Sequence, residues 1–185
     1  MVSAAEECTA LLERGAGRDW SRPAGDVDWS CHATLDHLAL GLVGYAGLLT
    51  ARPTDRYITL FASLDAHAPV STRLEGIRIA ASLLAATVRA AAPGDRAWHL
   101  WGNSDAPGFA AMGVVETVVH THDIARGLGL DWSPPDRLCA PALERLFPDA
   151  PAGHPAGPAL LWCTGRGVLP GQPRREEWQW DGTVR

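Results

Sequence analysis

The chain has 185 residues, 46% hydrophobic and 20% charged, which fits one globular domain with a sizeable core. Its formal net charge is −5, and all 16 of its basic residues are arginine. The lack of lysine excludes Schiff-base, pyridoxal-phosphate and P-loop chemistry. An acidic balance with no basic cluster beyond Arg174-Arg175 argues against nucleic acid as a partner.

In chain order, Ser3 to Arg14 reads as a first helix, stopped by Gly15-Ala-Gly17. A loop with Trp20, Pro23 and Trp29 follows, and Ser30 is a candidate N-cap for a second helix from Cys31 to about Ala51. The β-branched and aromatic run Arg56 to Ser63 predicts a short strand. Thr72-x-x-Glu75 has the form of a capping box and predicts a third helix to about Ala92. Ala97 to Gly102 reads as a second extended piece. Asp105, with Pro107 in the first turn, opens a fourth helix that runs to Arg126 and ends at Gly127 or Gly129. Pro141 to Phe147 and Gly157 to Gly165 read as short helices, and Trp178-Gln-Trp180 as a terminal strand. The expected architecture is an all-α four-helix bundle, one domain over residues 1–185, with short extra helices and minor β pieces in its crossovers.

No apolar run reaches the ~18 residues of a membrane span. The acidic N-terminal segment lacks the apolar stretch of a signal peptide, so a cytoplasmic protein without a membrane role is expected. Cys8, Cys31, Cys139 and Cys163 form no Cys-x-x-Cys pair and are expected as free, buried thiols. The arginine-only basic set and the abundance of Ala, Gly and Pro suggest a G+C-rich genome.

The chemistry concentrates on the fourth helix. Glu116, His120 and Asp123 recur at i, i+4 and i+7 and form one polar stripe beside Met112, Val115, Val118 and Val119. Such a stripe is either a solvated face or the lining of a cavity. On the second helix His37 lies among Leu35, Leu38, Leu40 and Leu42, as either a hydrogen-bonded core histidine or a ligand. If the two helices are neighbours, the set becomes His, Glu, His. Three N/O ligands with a fourth position open describe a catalytic zinc-type site better than a structural one. Gly41, Gly44 and Gly47, beside Tyr45, each cost the second helix ~1 kcal/mol relative to Ala. They imply either close helix contact or room for a ligand, so a pocket bounded by Gly41, Gly44 and Tyr45 is expected.

Two motifs then carry a resemblance. Trp29-Ser-Cys-His-Ala-Thr-Leu-Asp-His37-Leu-Ala resembles the opening of the DinB/YfiT-like metal-dependent bundle enzymes. Glu116-x-x-x-His120-x-x-Asp123-Ile-Ala-Arg126-Gly-Leu-Gly129 is similar to the corresponding stretch of their mycothiol-dependent maleylpyruvate isomerase branch, and Leu160 to Arg166 resembles that branch's C-terminal segment. The resemblance implies a divalent metal, usually zinc, held by His37, Glu116 and His120, with Asp123 matching the family aspartate. It also implies a low-molecular-weight thiol such as mycothiol, bound as its thiolate for isomerisation or S-transfer. A tailoring enzyme of secondary metabolism and a non-catalytic binding bundle are the alternatives on the same scaffold.

Asp123 and Arg126 are accordingly the candidate catalytic residues, and Tyr45 and Arg166 the candidate co-substrate contacts. Arg126 and Arg166 are candidate anchors for an anionic group, with a helix-end role as the alternative. The expected partner is a small-molecule substrate, and the expected state a monomer or homodimer. His32 and His122 fall off the ligand stripe, and His67, His99 and His154 lie in loops. Trp98 and Trp101 are candidates for a pocket mouth.

Overall fold

A computed structural model describes residues 1–25, 27–59 and 62–184. Four long helices form the bundle: α1 (Val2–Glu13), α2 (Cys31–Ala51), α3 (Val70–Ala90) and α4 (Ala106–Leu128). Two short helices, α5 (Asp136–Leu146) and α6 (Ala156–Cys163), follow. Helix α2 packs on α3 and α4, and α1 packs on the same two; α5 docks on α4, and α6 on α5.

Local sequence explains most of the helix ends. The Ser30 side chain accepts the Ala33 N–H, and the Asp105 side chain accepts the Gly108 N–H, as N-caps do. Helix α4 ends at Gly129, whose φ of 68° puts it in the left-handed region that glycine enters without penalty. The apolar residues of α2 recur at helical spacing (Leu35, Leu38, Leu42, Tyr45, Ala46 and Leu49), and all are buried. By length and composition α2 could cross a membrane, but here it is a core helix with neighbours on two sides.

Helix α4 is buried around most of its circumference, with Phe109, Met112, Val115, Val118, Val119 and Ile124 all packed into the core. Only the ends of α4, at Pro107 and Arg126, are exposed, so the polar stripe along its middle points at protein or a cleft.

Three expectations fail. Helix α3 begins at Val70, directly after Pro69, so Thr72 and Glu75 lie inside the helix and cap nothing; the locked φ of proline suits chain entry into a helix. Helix α5 begins at Asp136, and Pro141 sits in its second turn at the cost of one backbone hydrogen bond. The β pieces reduce to two isolated bridges among the described residues, Pro23 with Ser30 and Ala97 with Ser104. The described part of 56–63 is irregular, while residues 60 and 61 lie outside the described residues. Trp178 and Trp180 pair with no strand. The tail they belong to is pinned instead by Asp181 N–H to the Leu146 carbonyl (2.8 Å) and Gly182 N–H to the Trp101 carbonyl (2.8 Å).

The loop before α2 is locked to the end of α4 by a close approach. A Cβ on Gly127 would lie 2.3 Å from the Pro23 carbonyl oxygen and 2.9 Å from Cys31 Sγ. In a free helix Gly→Ala gains ~1 kcal/mol, but here backbone must move to admit the methyl. Gly127→Ala should therefore destabilise the protein by ~1–3 kcal/mol, the scale of overpacking. Denaturant unfolding checks this, and a raised midpoint would refute the contact.

Candidate metal centre

Helix α4 presents Glu116 and His120 one turn apart, and α2 brings His37 alongside. One ligand atom from each lies within 4.8 Å of the others. His120 Nε2 is 3.0 Å and His37 Nε2 3.9 Å from Glu116 Oε2. Zinc–ligand bonds of ~2.0–2.2 Å place tetrahedral neighbours ~3.3–3.6 Å apart, so the three side chains fit one divalent ion with only small adjustment. Two imidazoles and a carboxylate suit zinc and leave a fourth position for a substrate or thiol.

Two of the three candidate ligands, Glu116 and His120, are held from behind by hydrogen bonds. The Tyr45 hydroxyl donates to Glu116 Oε1 (3.1 Å) from a buried position on α2. Burial disfavours the Glu116 charge, yet hydrogen bonds from His120 and Tyr45 and the adjoining imidazoles hold its carboxyl below the ordinary glutamate range. His120 Nδ1 faces Asp123 Oδ2 at 3.3 Å. This leaves Nε2 for the ion, as expected when a second partner fixes the tautomer of a ligating histidine. His37 is half-exposed, and Trp29 covers it with a ring-centroid distance of 4.7 Å.

Asp123 has no solvent exposure. Arg166 grips it with Nε on Oδ1 (3.3 Å) and a terminal nitrogen on Oδ2 (3.1 Å). Burial works against this carboxylate as well, but the hydrogen bonds from His120 and Arg166 keep it charged. The other terminal nitrogen of Arg166 donates to the Thr164 carbonyl at 2.8 Å. The loop before α2 closes over the pair: Gly25, with φ of 53°, would place a Cβ 3.1 Å from the Asp123 Cα.

The structure places the remaining candidate residues as follows. Arg166 lines the cleft over the centre and clamps Asp123, with Nε and one terminal nitrogen on the carboxylate and the other terminal nitrogen on the Thr164 carbonyl. Arg126 is an exposed residue in the last turn of α4, outside the cleft lining. Tyr45 is buried and donates to the candidate ligand Glu116, so its place is behind the centre. A Cβ on Gly41 or Gly44 would meet nothing within 4 Å, so these glycines face open space and not a close helix contact, but neither borders the cleft over the centre; Gly47 borders a separate cavity of about 620 Å³.

The cleft of about 480 Å³ is instead walled by Trp29, Trp101, Trp178 and Trp180, with Asp28, Val115 and Val119. Of the two tryptophans expected at a mouth, Trp101 lines it; Trp98 packs edge-on against Tyr57.

No spacing or motif pointed to Trp178, Trp180 or His99. His99 is buried next to Trp180, Tyr45 and Phe109 and accepts the Trp101 N–H on Nδ1 (3.1 Å). Burial lowers its pKa to about 4, so it is a neutral scaffold residue. All four cysteines are free and buried, as expected. Burial pushes the Cys31 thiol up to about 11, and the neighbouring His32 is taken by Arg73, which leaves no nucleophile pair there.

A family model described as mycothiol maleylpyruvate isomerase N-terminal domain matches residues 2–125. No curated protein and no solved structure matches the chain significantly.

The geometry makes the centre sensitive to pH and to the loss of Asp123. Burial opposes a charge on His120, but Asp123 and Glu116 outweigh it and raise its pKa from 6.5 to about 9 in the metal-free protein. Because the folded-state value is the higher one, this contribution to stability is complete below pH 6.5 and disappears as the pH rises through about 9. Metal must displace that proton. Zinc uptake between pH 7 and 8 should therefore release about one proton from His120, measurable by calorimetry in buffers of different ionisation enthalpy. Zinc affinity that is independent of pH over this range would contradict it. Separately, Asp123→Asn removes the acceptor for His120 Nδ1 and the charge facing Arg166. It should weaken zinc binding by ~10–100-fold, read by competition with a chelator.

Proposed function

Because the chain belongs to the mycothiol maleylpyruvate isomerase N-terminal domain family, we propose that it is a metal-dependent enzyme that uses a low-molecular-weight thiol, mycothiol in the first instance, for isomerisation or S-transfer on a small molecule. The observation that supports this most is the convergence of His37, Glu116 and His120 within 4.8 Å beneath an open cleft. These residues would hold a divalent ion, with zinc the best match to their donor atoms. When bound, such an ion supplies acidification of a thiol whose ordinary pKa is ~8.5, so that it is present as thiolate at neutral pH.

The chain's own residues account for the remaining requirements. The Tyr45 hydroxyl takes one oxygen of Glu116 and leaves Oε2 directed at the histidines. Asp123 holds the Nδ1 proton of His120, and Arg166 fixes Asp123 from the other side. Trp29 lies against His37 and limits the water that reaches this half-exposed ligand. The indoles and valines of the cleft give a thiolate a partly dry surrounding, which strengthens its electrostatic interactions and its nucleophilicity.

Metal content and thiol dependence test the reading together. Purified protein should carry about one zinc per chain, and His37→Ala and His120→Ala should fall below ~10% occupancy with helicity retained. Conversion of an electrophilic test substrate should require mycothiol, stop on chelation and return with zinc. Undiminished turnover in the chelated protein, or full zinc content in both variants, would overturn it.

A further inference from the structure

The cleft above the centre contains two aromatic surfaces. One is Trp29, seated on His37 at 4.7 Å. The other is a cluster of three indoles: Trp101 lies 4.7 Å from Trp180 and 5.5 Å from Trp178, and those two are 6.0 Å apart. Trp29 is 46% exposed, a large amount for an indole in a folded protein, and Trp101 and Trp178 remain half-exposed. Solvent-facing indoles that border one cavity next to a candidate reactive centre are surfaces for a ring to cover.

The charges point the same way. Arg166, the one arginine lining this cleft among the described residues, has all three nitrogens engaged by Asp123 and the Thr164 carbonyl. Its guanidinium lies 5.6 Å from the Trp178 ring, which adds a cation–π contact to its duties. Asp28 adds a carboxylate at the exposed rim. A divalent ion beside Glu116 keeps one positive charge, and one thiolate cancels it. With thiolate in place, the groups lining the cleft carry no net positive charge to set against the two carboxylates of a small di-acid, and burying charge without compensation is costly.

We infer that the electrophilic substrate of this site is an uncharged planar ring compound, stacked on Trp29 and on the Trp101–Trp178 surface, and not a small dicarboxylate. This rests on the reading of the cleft as the substrate site, and it assigns Trp29 and Trp178 as the residues that set specificity. The loop before α2 contributes the first, and the C-terminal tail contributes the second.

The test compares 2-naphthol, 2-naphthoate and maleate, titrated calorimetrically into the zinc-loaded protein saturated with mycothiol, so that the thiolate is in place, and into the metal-free protein, with the indole N–H resonances followed by NMR. 2-Naphthol, uncharged at neutral pH, should bind at least about tenfold more tightly than 2-naphthoate, with maleate weakest. It should shift the indole signals of Trp29 and Trp178. Trp29→Ala and Trp178→Ala should each weaken it about tenfold, the scale of one lost stacking contact. Trp29 is exposed enough that its replacement leaves folding intact, which circular dichroism checks. Tighter binding of 2-naphthoate or maleate, no binding of 2-naphthol, or unchanged affinity in both variants would overturn the inference. The metal-free titration separates the two ideas: ring preference without zinc supports the inference even if the chain proves not to be a zinc enzyme, while zinc content alone decides the latter.

Discussion

A carboxylate with no exposure to water organises this molecule. Asp123 can stay charged inside the protein only because a guanidinium grips it on one side and an imidazole meets it on the other. Breaking such a group of charges by removing one partner costs several kcal/mol, so Arg166, Asp123 and His120 form a unit that has to be built together. The consequences run outward. Arg166 must be delivered by the turn after α6, the loop at Gly25 must press against the Asp123 backbone, and His120 must direct Nε2 toward Glu116. Tyr45 closes the arrangement from α2.

The bundle makes this unit possible by placing α4 at its centre. A helix flanked by α1, α2, α3 and α5 has little solvent to offer its polar residues. Glu116, His120 and Asp123 therefore had to find one another, or groups from neighbouring segments. The small residues of α4 help with the close packing this needs. A Cβ on Gly113 would meet the side chain of Leu84 at 2.8 Å, and one on Gly127 would meet the loop backbone at 2.3 Å.

Residues beyond the family match complete a cleft that is built mostly from residues within it. The match covers residues 2–125 and includes every candidate ligand. Arg166, Trp178 and Trp180 come from later in the chain: Arg166 is held by its backbone bond to Leu161 of α6, and the tail with the two tryptophans is pinned through Asp181 and Gly182 to α5 and to the 97–104 turn. The candidate ligands and most of the cleft wall, Trp29 and Trp101 included, thus lie within the match, and the C-terminal tail closes the cleft with Trp178 and Trp180.

Helical periodicity, the Ser30 and Asp105 caps and the glycine after α4 made the four long helices legible, because each is a local property of neighbouring residues. The i, i+4 spacing of Glu116 and His120 likewise puts two ligands on one face by helix geometry alone. Spacing leaves open whether that face meets water or protein, and whether His37 lies beside it. Those are facts of helix packing, decided by which apolar stripes bury each other. The roles of the arginines were undecidable for the same reason. Arg126, three residues past Asp123, is exposed, while Arg166, 43 residues away, is the one that reaches it. Trp178 and Trp180 looked like a strand because alternation is all that a tail of this kind shows; their place beside the cleft comes from the backbone hydrogen bonds that fold the tail over α5. Sequence spacing determines what a single helix presents. Only the packed structure decides which distant charge can neutralise a buried one.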